Sequence, residues 1–380
     1  MNTRLLLKGF EVELFTGRFS GEHVGVATAV ASDLADFVTE PDHRNLEYIT
    51  EPNQHYGPLR EALLAPRRRL RQWLVPRQLT LIPGSTLSLG DSHHFERSDP
   101  LNPYHDLIEA NYGTRVVTTS VHINLGLEDL PLLFAALRLV RCEAALFLAL
   151  SASSPFLDGQ PTGSHSQRWL QFPLTPERVP LFQNHPDYVA WVEAQLATGT
   201  MQNERHLWTS VRPNGPRRPY QLNRLELRIC DLITDPDVLL AVTALIELRV
   251  LSLLQNPSQL DPLKVSRLTT AELADLCDAN DSAVAQMSLD ATLHHWRDGS
   301  PILCRSWIET MLEGIIPISR DLGLEKQLAP LHRVLNKGNQ AMQWLQNYAD
   351  GKPVQAVIQD SIAEMNAEEL KASKAEAILG

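Results

Sequence analysis

An α+β fold, a mainly antiparallel sheet with helices packed on it, is what this sequence of 380 residues predicts. Strand-like alternation and helical periodicity are interleaved from Leu5 to about Leu263, and everything beyond that reads helical. No glycine-rich turn joins a strand to a crossover helix, as a parallel sheet would require.

The first strand is expected over Leu5 to Phe15, where Phe10, Val12 and Leu14 alternate with Glu11 and Glu13. Further strands are expected at Leu46 to Thr50, Leu79 to Pro83, Val116 to Leu125, His206 to Val211 and Gln221 to Ile229. Helical periodicity marks Leu59 to Leu74, Pro103 to Tyr112, Pro131 to Leu150, Pro186 to Ala197 and Pro236 to Leu254. Several of these open on proline, whose missing amide donor costs nothing in the first turn. Leu132 to Leu150 is the most apolar stretch, but Arg138, Arg141 and Glu143 interrupt it, so it reads as a buried helix and not a membrane span. The breaker Asn256-Pro257-Ser258-Gln259-Leu260-Asp261-Pro262 closes a sheet-bearing domain at residues 1–263. A helical C-terminal layer follows over 264–350, with Thr270 to Trp296, Pro301 to Leu312 and Leu324 to Tyr348 as its helices. Residues 351–380 form an alanine- and glutamate-rich tail, partly helical or disordered.

Composition narrows the function. The apolar fraction of 43% and charged fraction of 21% are those of a soluble globular protein. A net charge of −11 argues against nucleic acid or an anionic membrane as partner, since both demand a basic footprint. Cys142, Cys230, Cys277 and Cys304 are scattered without a C-x-x-C pair, which suits a reduced, cytoplasmic compartment. Met1 to Leu7 is too short an apolar run, with too little positive charge, for a signal peptide.

The informative residues are acids placed between apolar positions. Glu11 and Glu13 fall on one face of the first strand, and Glu226 with Arg228 repeats the pattern opposite Leu225, Leu227 and Ile229. His122 and Asn124 alternate with Val121, Ile123 and Leu125, and Glu47 sits inside Leu46-Glu47-Tyr48-Ile49. A sheet with one face in water produces the same alternation. If the strands share a sheet whose second face is recessed, however, neighbouring carboxylates repel unless a cation neutralises them. A hard divalent ion with oxygen ligands, magnesium above all, does so most economically.

Other motifs are weaker. No G-x-x-x-x-G-K-[ST], G-x-G-x-x-G or kinase signature is present, so a nucleotide's phosphates would have to be held by metal-bridged carboxylates and arginines. Pro83 to Gly90 reads as an ordinary turn, and His93-His94 lacks the spacing of a zinc site. Pro66-Arg67-Arg68-Arg69-Leu70-Arg71 is preferred as a solvated face or structural ion-pair cluster over a ligand site. Ser151 to Gly159 and the segment delivering Arg168 are candidates for loops that close over a site.

At this point the sequence resembles glutamate–cysteine ligases of the cyanobacterial type, within the carboxylate–amine ligase group related to glutamine synthetase. The matching stretches are Gly9-Phe10-Glu11-Val12-Glu13, Asn45-Leu46-Glu47-Tyr48, Ile82-Pro83-Gly84-Ser85-Thr86, Ser120-Val121-His122-Ile123-Asn124, Ser151-Ala152-Ser153-Ser154-Pro155-Phe156, Arg212-Pro213-Asn214-Gly215 and Arg224-Leu225-Glu226-Leu227-Arg228-Ile229-Cys230-Asp231. The resemblance implies an antiparallel sheet bent into a glutamine-synthetase-like half-funnel. By the same resemblance, Glu11, Glu13, Glu47 and Glu226 are magnesium ligands, Arg228 and Arg168 grip the γ-phosphate and the incoming carboxylate, and His122 and Asn124 contact phosphate or substrate. Asn124 stands where broader members of the group often carry histidine, and an amide cannot titrate. The implied reaction joins L-glutamate, through its γ-carboxyl, to L-cysteine at the expense of ATP, the first step of glutathione synthesis. A ligase of the same group with another amine acceptor and a non-catalytic sensor of glutamate or nucleotide are the alternatives. The sequence leaves the oligomeric state open.

Overall fold

The computed structural model describes residues 4–379, with side chains as far as Glu369. The part of the signal-peptide reading that falls on Met1 to Thr3, and the last tail residue Gly380, lie outside the described residues.

Among the described residues, eleven strands form in chain order. They are β1 (Lys8–Arg18), β2 (Phe37–Thr39), β3 (Asn45–Ile49), β4 (Leu79–Ile82), β5 (Val121–Gly126), β6 (Phe156–Leu157), β7 (Gln160–Pro161), β8 (Val211–Asn214), β9 (Arg224–Leu227), β10 (Thr292–His294) and β11 (Pro301–Leu303). Seven of them make one sheet in the order β2-β3-β1-β5-β9-β8, with β4 also paired to β1. Every pairing in it is antiparallel, as the missing crossover turns predict.

The helices are α1 (Ala27–Asp33), α2 (Tyr56–Leu74), α3 (Pro103–Tyr112), α4 (Leu130–Ser151), α5 (Gln167–Gln171), α6 (His185–Ala197), α7 (Pro236–Gln255), α8 (Pro257–Leu260), α9 (Pro262–Val265), α10 (Thr270–Met287), α11 (Cys304–Asp321), α12 (Ala329–Lys337), α13 (Gln340–Ala349) and α14 (Val354–Leu379). Three of the proline-led helices, α4, α6 and α7, start on the side chains of Asp129, Asn184 and Asp235, which accept from amides of the first turn.

One apolar cluster runs from Phe10 on β1 to Met365 on α14, and α4, almost wholly buried, lies at its centre against β8, β9, α7 and α10. The charges that exclude α4 from a membrane all find partners. Arg138 makes a two-pronged pair with Asp261 (2.8 and 2.7 Å), Arg141 reaches Asp281 (2.8 Å) and Asp278, and Glu143 receives both prongs of Arg249. Among the described residues no helix is long and apolar enough to cross a membrane.

Three expectations need correction. The region beyond Leu263 is not purely helical, because the β10–β11 hairpin separates α10 from α11; Thr270 to Trp296 ends as helix at Met287, and the next helix starts at Cys304 instead of Pro301. Leu324 to Tyr348 divides where Gly338, at φ +85, ends α12 and Asn339 caps α13. Residues 354–379 are a helix whose Val354, Val357, Ile358, Ile362 and Met365 are buried at helical spacing. Its Glu369 pairs with buried Arg67 and Arg71, the structural outcome preferred for the basic run.

Candidate active site

The alternation of β1 decides where its side chains go. Phe10, Val12 and Leu14 are fully buried in the core, so Glu11 and Glu13 must occupy the other face. The pairing register assembles the rest of that face. Glu13 lies opposite Glu47, Glu11 opposite His122, Asn124 opposite Glu226, and Glu226 opposite Arg212. Residues distant in sequence thus become one recessed polar surface, with Glu11 and Glu13 only 19% and 14% exposed, His122 4% and Glu226 fully buried.

Two groups of ligand atoms on this surface each fall within 4.8 Å of one another: Glu11, Glu47 and His122, and Glu13, Glu40 and Glu47. Glu47 belongs to both. Hydrogen bonds fix the surrounding side chains. Ser120 Oγ donates to Glu13 (2.9 Å), the Asn124 amide donates to Glu11 (3.2 Å), and the Asn124 carbonyl accepts from Arg224 (3.1 Å). His122 Nδ1 lies 3.1 Å from Glu11 Oε2 and 3.3 Å from Arg228 Nη1.

The electrostatics divide the acids. Burial, reinforced by Glu40, Glu13 and Glu11, pushes the Glu47 carboxyl up to about 9, and burial with Glu13 beside it pushes Glu40 up to about 8. Glu11 behaves oppositely: burial would raise it, but the hydrogen bond with His122 and the charges of His122 and Arg228 hold it below its ordinary value. Acids kept protonated by burial and by one another, beside a donor set of carboxylate oxygens with one imidazole, fit one or two hard divalent cations sharing Glu47.

Glu226 is placed differently. Arg212 grips it with two hydrogen bonds (2.8 and 3.0 Å), Asn214 donates to it (2.6 Å) and Arg228 Nη1 adds a fourth (2.5 Å), so it stands well below its ordinary pKa despite burial. Among the described residues it belongs to neither ligand group, whereas Glu40 belongs to one of them. Among the described residues, Nε and Nη2 of Arg228 have no partner, which leaves one edge of the guanidinium to offer.

Arg168 does not share the floor with Arg228. On α5, which is capped by Ser166, it donates to the carbonyls of Ile229 (2.9 Å) and Arg228 (3.1 Å) and so holds the chain that carries Arg228 from behind. The Ser151 to Gly159 segment is not a loose flap either. Ser153 N, Ser154 Oγ and Ser166 Oγ all donate to buried Asp231 (2.9, 2.7 and 2.8 Å), and residues 151–156 are buried. A cavity of about 490 Å³ continues the polar face past Glu11 and Asn124, lined by Leu5, Leu7, Ile49, Pro52, Glu128 and Arg224.

Of the residues on this face, Glu40 escaped the sequence reading, and Arg212 and Asn214 entered it only within a matching stretch, with no role given. Glu40 follows a three-residue strand and has no periodic context. Arg212 and Asn214 alternate with Val211 and Pro213 on β8 with the same period of two, and β8 is the edge strand, where proline is tolerated.

A family model described as glutamate-cysteine ligase family 2 matches residues 7–374. The chain belongs to that family. A Sorangium cellulosum relative named "Putative glutamate--cysteine ligase 2" is 28% identical over 249 residues, covering 64% of this chain and 63% of the relative. A Solibacter usitatus protein of the same name is 26% identical over 247 residues, 64% and 61% of the two chains. The chain thus spans about three-fifths of the length of these curated relatives. Among solved structures, a glutamate–cysteine ligase from Francisella tularensis in complex with AMP superposes with a TM-score of 0.74 at 13% identity, covering 99% of this chain and 95% of that one. A bifunctional glutathione synthetase from Pasteurella multocida gives 0.73 at 15%, covering 96% and 53%. These likenesses show that this member of family 2 has the ligase fold.

Proposed function

We propose that this member of family 2 condenses L-glutamate, through its γ-carboxyl, with the amine of L-cysteine, consuming ATP and releasing ADP and phosphate. The observation that carries the reading is the crowd of carboxylates Glu11, Glu13, Glu40 and Glu47 on one recessed face that also holds Arg228, whose charge Glu11, Glu40 and Glu47 feel. Phosphoryl transfer demands charge neutralisation and in-line positioning more than covalent help from the protein. Glu11, Glu47 and His122 would hold one magnesium ion and Glu13, Glu40 and Glu47 a second, which neutralise the phosphates of ATP when bound. Glu226, gripped by Arg212 and Asn214, orients Arg228 instead of binding metal in this arrangement. Arg228 presents its fork to the transferring phosphoryl group and the glutamate γ-carboxylate, while Arg168 steadies it through the main chain. Asn124, locked between Glu11 and Arg224, positions and does not move a proton.

The four buried free thiols suit a reduced, cytoplasmic setting. The apolar stretch of the cavity beside Glu11, with Leu5, Leu7, Ile49 and Pro52, favours as second reading a ligase of the same group with a less polar amine acceptor. Coupled ADP release from purified protein, with each amino acid omitted in turn and a panel of amines in place of cysteine, tests both. Release that needs glutamate and cysteine together supports the first reading, and preference for another amine supports the second. ATP binding with no ADP formed under any combination would leave a sensor and overturn both.

A further inference from the structure

A second cavity of about 490 Å³ shares no residue with the polar face, and its volume is in the range of small-molecule sites. Its walls are the end of α4 at Leu150 and Ser151, the segment from Ile233 to Asp235, and helices α12, α13 and α14. Lys337, Asp360 and Glu364 are exposed at its mouth, while Trp344, Ser361 and Met365 are buried at its floor.

The charges that line it do not balance. Arg333 pairs with Asp235 and Lys352 with Asp360. Lys337, Glu364 and Glu368 have no ion-pair partner among the described residues, which leaves one cation against two carboxylates. Asp360, Glu364 and Glu368 follow one another at four-residue intervals, so α14 presents them in a single row, where like charges repel. Burial and then Asp235 push the Glu368 carboxyl up to about 7, against the pull of Arg67 and Arg333. Beside this row stands Ser361, only 6% exposed. Its hydroxyl accepts from Trp344 Nε1 (2.6 Å), and its own proton has no acceptor among the described residues, so a buried donor is unspent at the cavity floor.

These unspent groups describe a ligand. Glu364 and Glu368 stand one turn apart, about 6 Å along the helix axis, and so suit two cationic groups separated by a short chain. Lys337 and Ser361 suit a carboxylate. Trp344 and Met365 offer apolar surface to the methylenes between the cations. One carboxylate and two cationic groups on a short aliphatic chain make up a basic α-amino acid.

We propose that this cavity is a second binding site, for a basic α-amino acid such as arginine or lysine, whose cationic groups meet Glu364 and Glu368 and whose carboxylate meets Lys337 and Ser361. The inference does not depend on the ligase reading, because it uses neither ATP nor any residue of the polar face.

Titration calorimetry of the full chain with L-arginine and with L-lysine tests it. At least one of them should bind saturably. Agmatine and cadaverine, which lack the carboxylate, and glutamine, which lacks the second cation, should each bind about tenfold more weakly. Replacing both acids, Glu364→Gln with Glu368→Gln, should weaken the amino acid at least about tenfold, and Ser361→Ala about threefold. Lys337→Met should erase the difference between arginine and agmatine. If the double variant fails to fold, Glu364→Gln alone, at an exposed position, carries the same test. Glu47→Gln, which alters the polar face, should leave the binding unchanged; loss there would put the amino acid on that face and overturn the inference. Absence of saturable binding by either amino acid, binding that survives the loss of both acids, or an amine bound as tightly as its amino acid overturns it as well. None of these results touches the ligase reading, which stands or falls on ADP release.

Discussion

Beneath the sheet, Arg138 meets Asp261, Glu143 meets Arg249, and Lys8 meets Glu247 at 3.0 Å with both side chains fully buried. On the polar face, Glu13, Glu40 and Glu47 share a small volume, and the cation that Glu40 and Glu47 feel, Arg228, is already bound to Glu226. The first region closes its charge balance inside the chain, so its pairs serve the fold and ask nothing of a ligand. The second gives Glu40 and Glu47 no counter-charge of their own, so they keep their protons until a cation from outside replaces them. Burial alone therefore does not mark a functional charge; burial without an internal counter-charge does.

That contrast can be attacked directly. The largest effect should come from Glu47→Gln, since both ligand groups use Glu47: coupled ADP release is expected to fall by about 10³-fold or more, and near-normal turnover would remove the metal assignment. Arg228→Lys should cost about 100-fold despite the retained charge, because an ammonium cannot offer two parallel donors; rates within a factor of three of the unmodified protein would dismiss the fork. Lys8→Met, which strands buried Glu247, should lower unfolding free energy by about 3–5 kcal/mol in urea melts. A change below about 1 kcal/mol there would mean that the paired region is less committed than its geometry.

The polar face should respond with the opposite sign. Without divalent cation, Glu40 and Glu47 hold protons in the folded chain up to about 8 and 9, against about 4.3 in the unfolded chain. In that window the folded state binds more protons, so stability should fall as pH rises from about 5 to about 9 and level off above. Partial solvent access keeps the slope below about 1.4 kcal/mol per pH unit for each group. Thermal melts with magnesium should flatten it; a slope indifferent to magnesium would break the comparison. The smallest effect is Glu40→Gln, which relieves repulsion and should raise metal-free stability by about 1 kcal/mol in urea melts, where a loss would count against that repulsion.

Much of this was legible in the sequence for a physical reason. Period-two alternation depends on the pleat alone, so the placement of Glu11, Glu13, His122, Asn124 and Glu226 on one face could be read before any coordinates. The long helices α2, α4 and α7 were equally plain, because their apolar stripes recur over many turns. What was hidden depends on contacts between distant segments. Glu40 becomes a neighbour of Glu13 and Glu47 only through the β2–β3 pairing, which places Val38 opposite Glu47. Serine-rich residues 151–154 suggested flexibility until Asp231, about 78 positions away, supplied an acceptor for their donors. Arg168 is a similar case: nothing local says that its guanidinium will be spent on two carbonyls at the end of β9.

Asp231 has one more consequence. A single carboxylate gathers an amide and two hydroxyls from Ser153, Ser154 and Ser166, and Ser166 also caps the short helix whose Arg168 clasps the segment bearing Arg228. Three stretches of chain are thereby anchored to one point, three residues downstream of the Arg228 guanidinium on the polar face. The orientational freedom that Arg228 would otherwise surrender on gripping a ligand is given up once, when the polypeptide first acquires its shape.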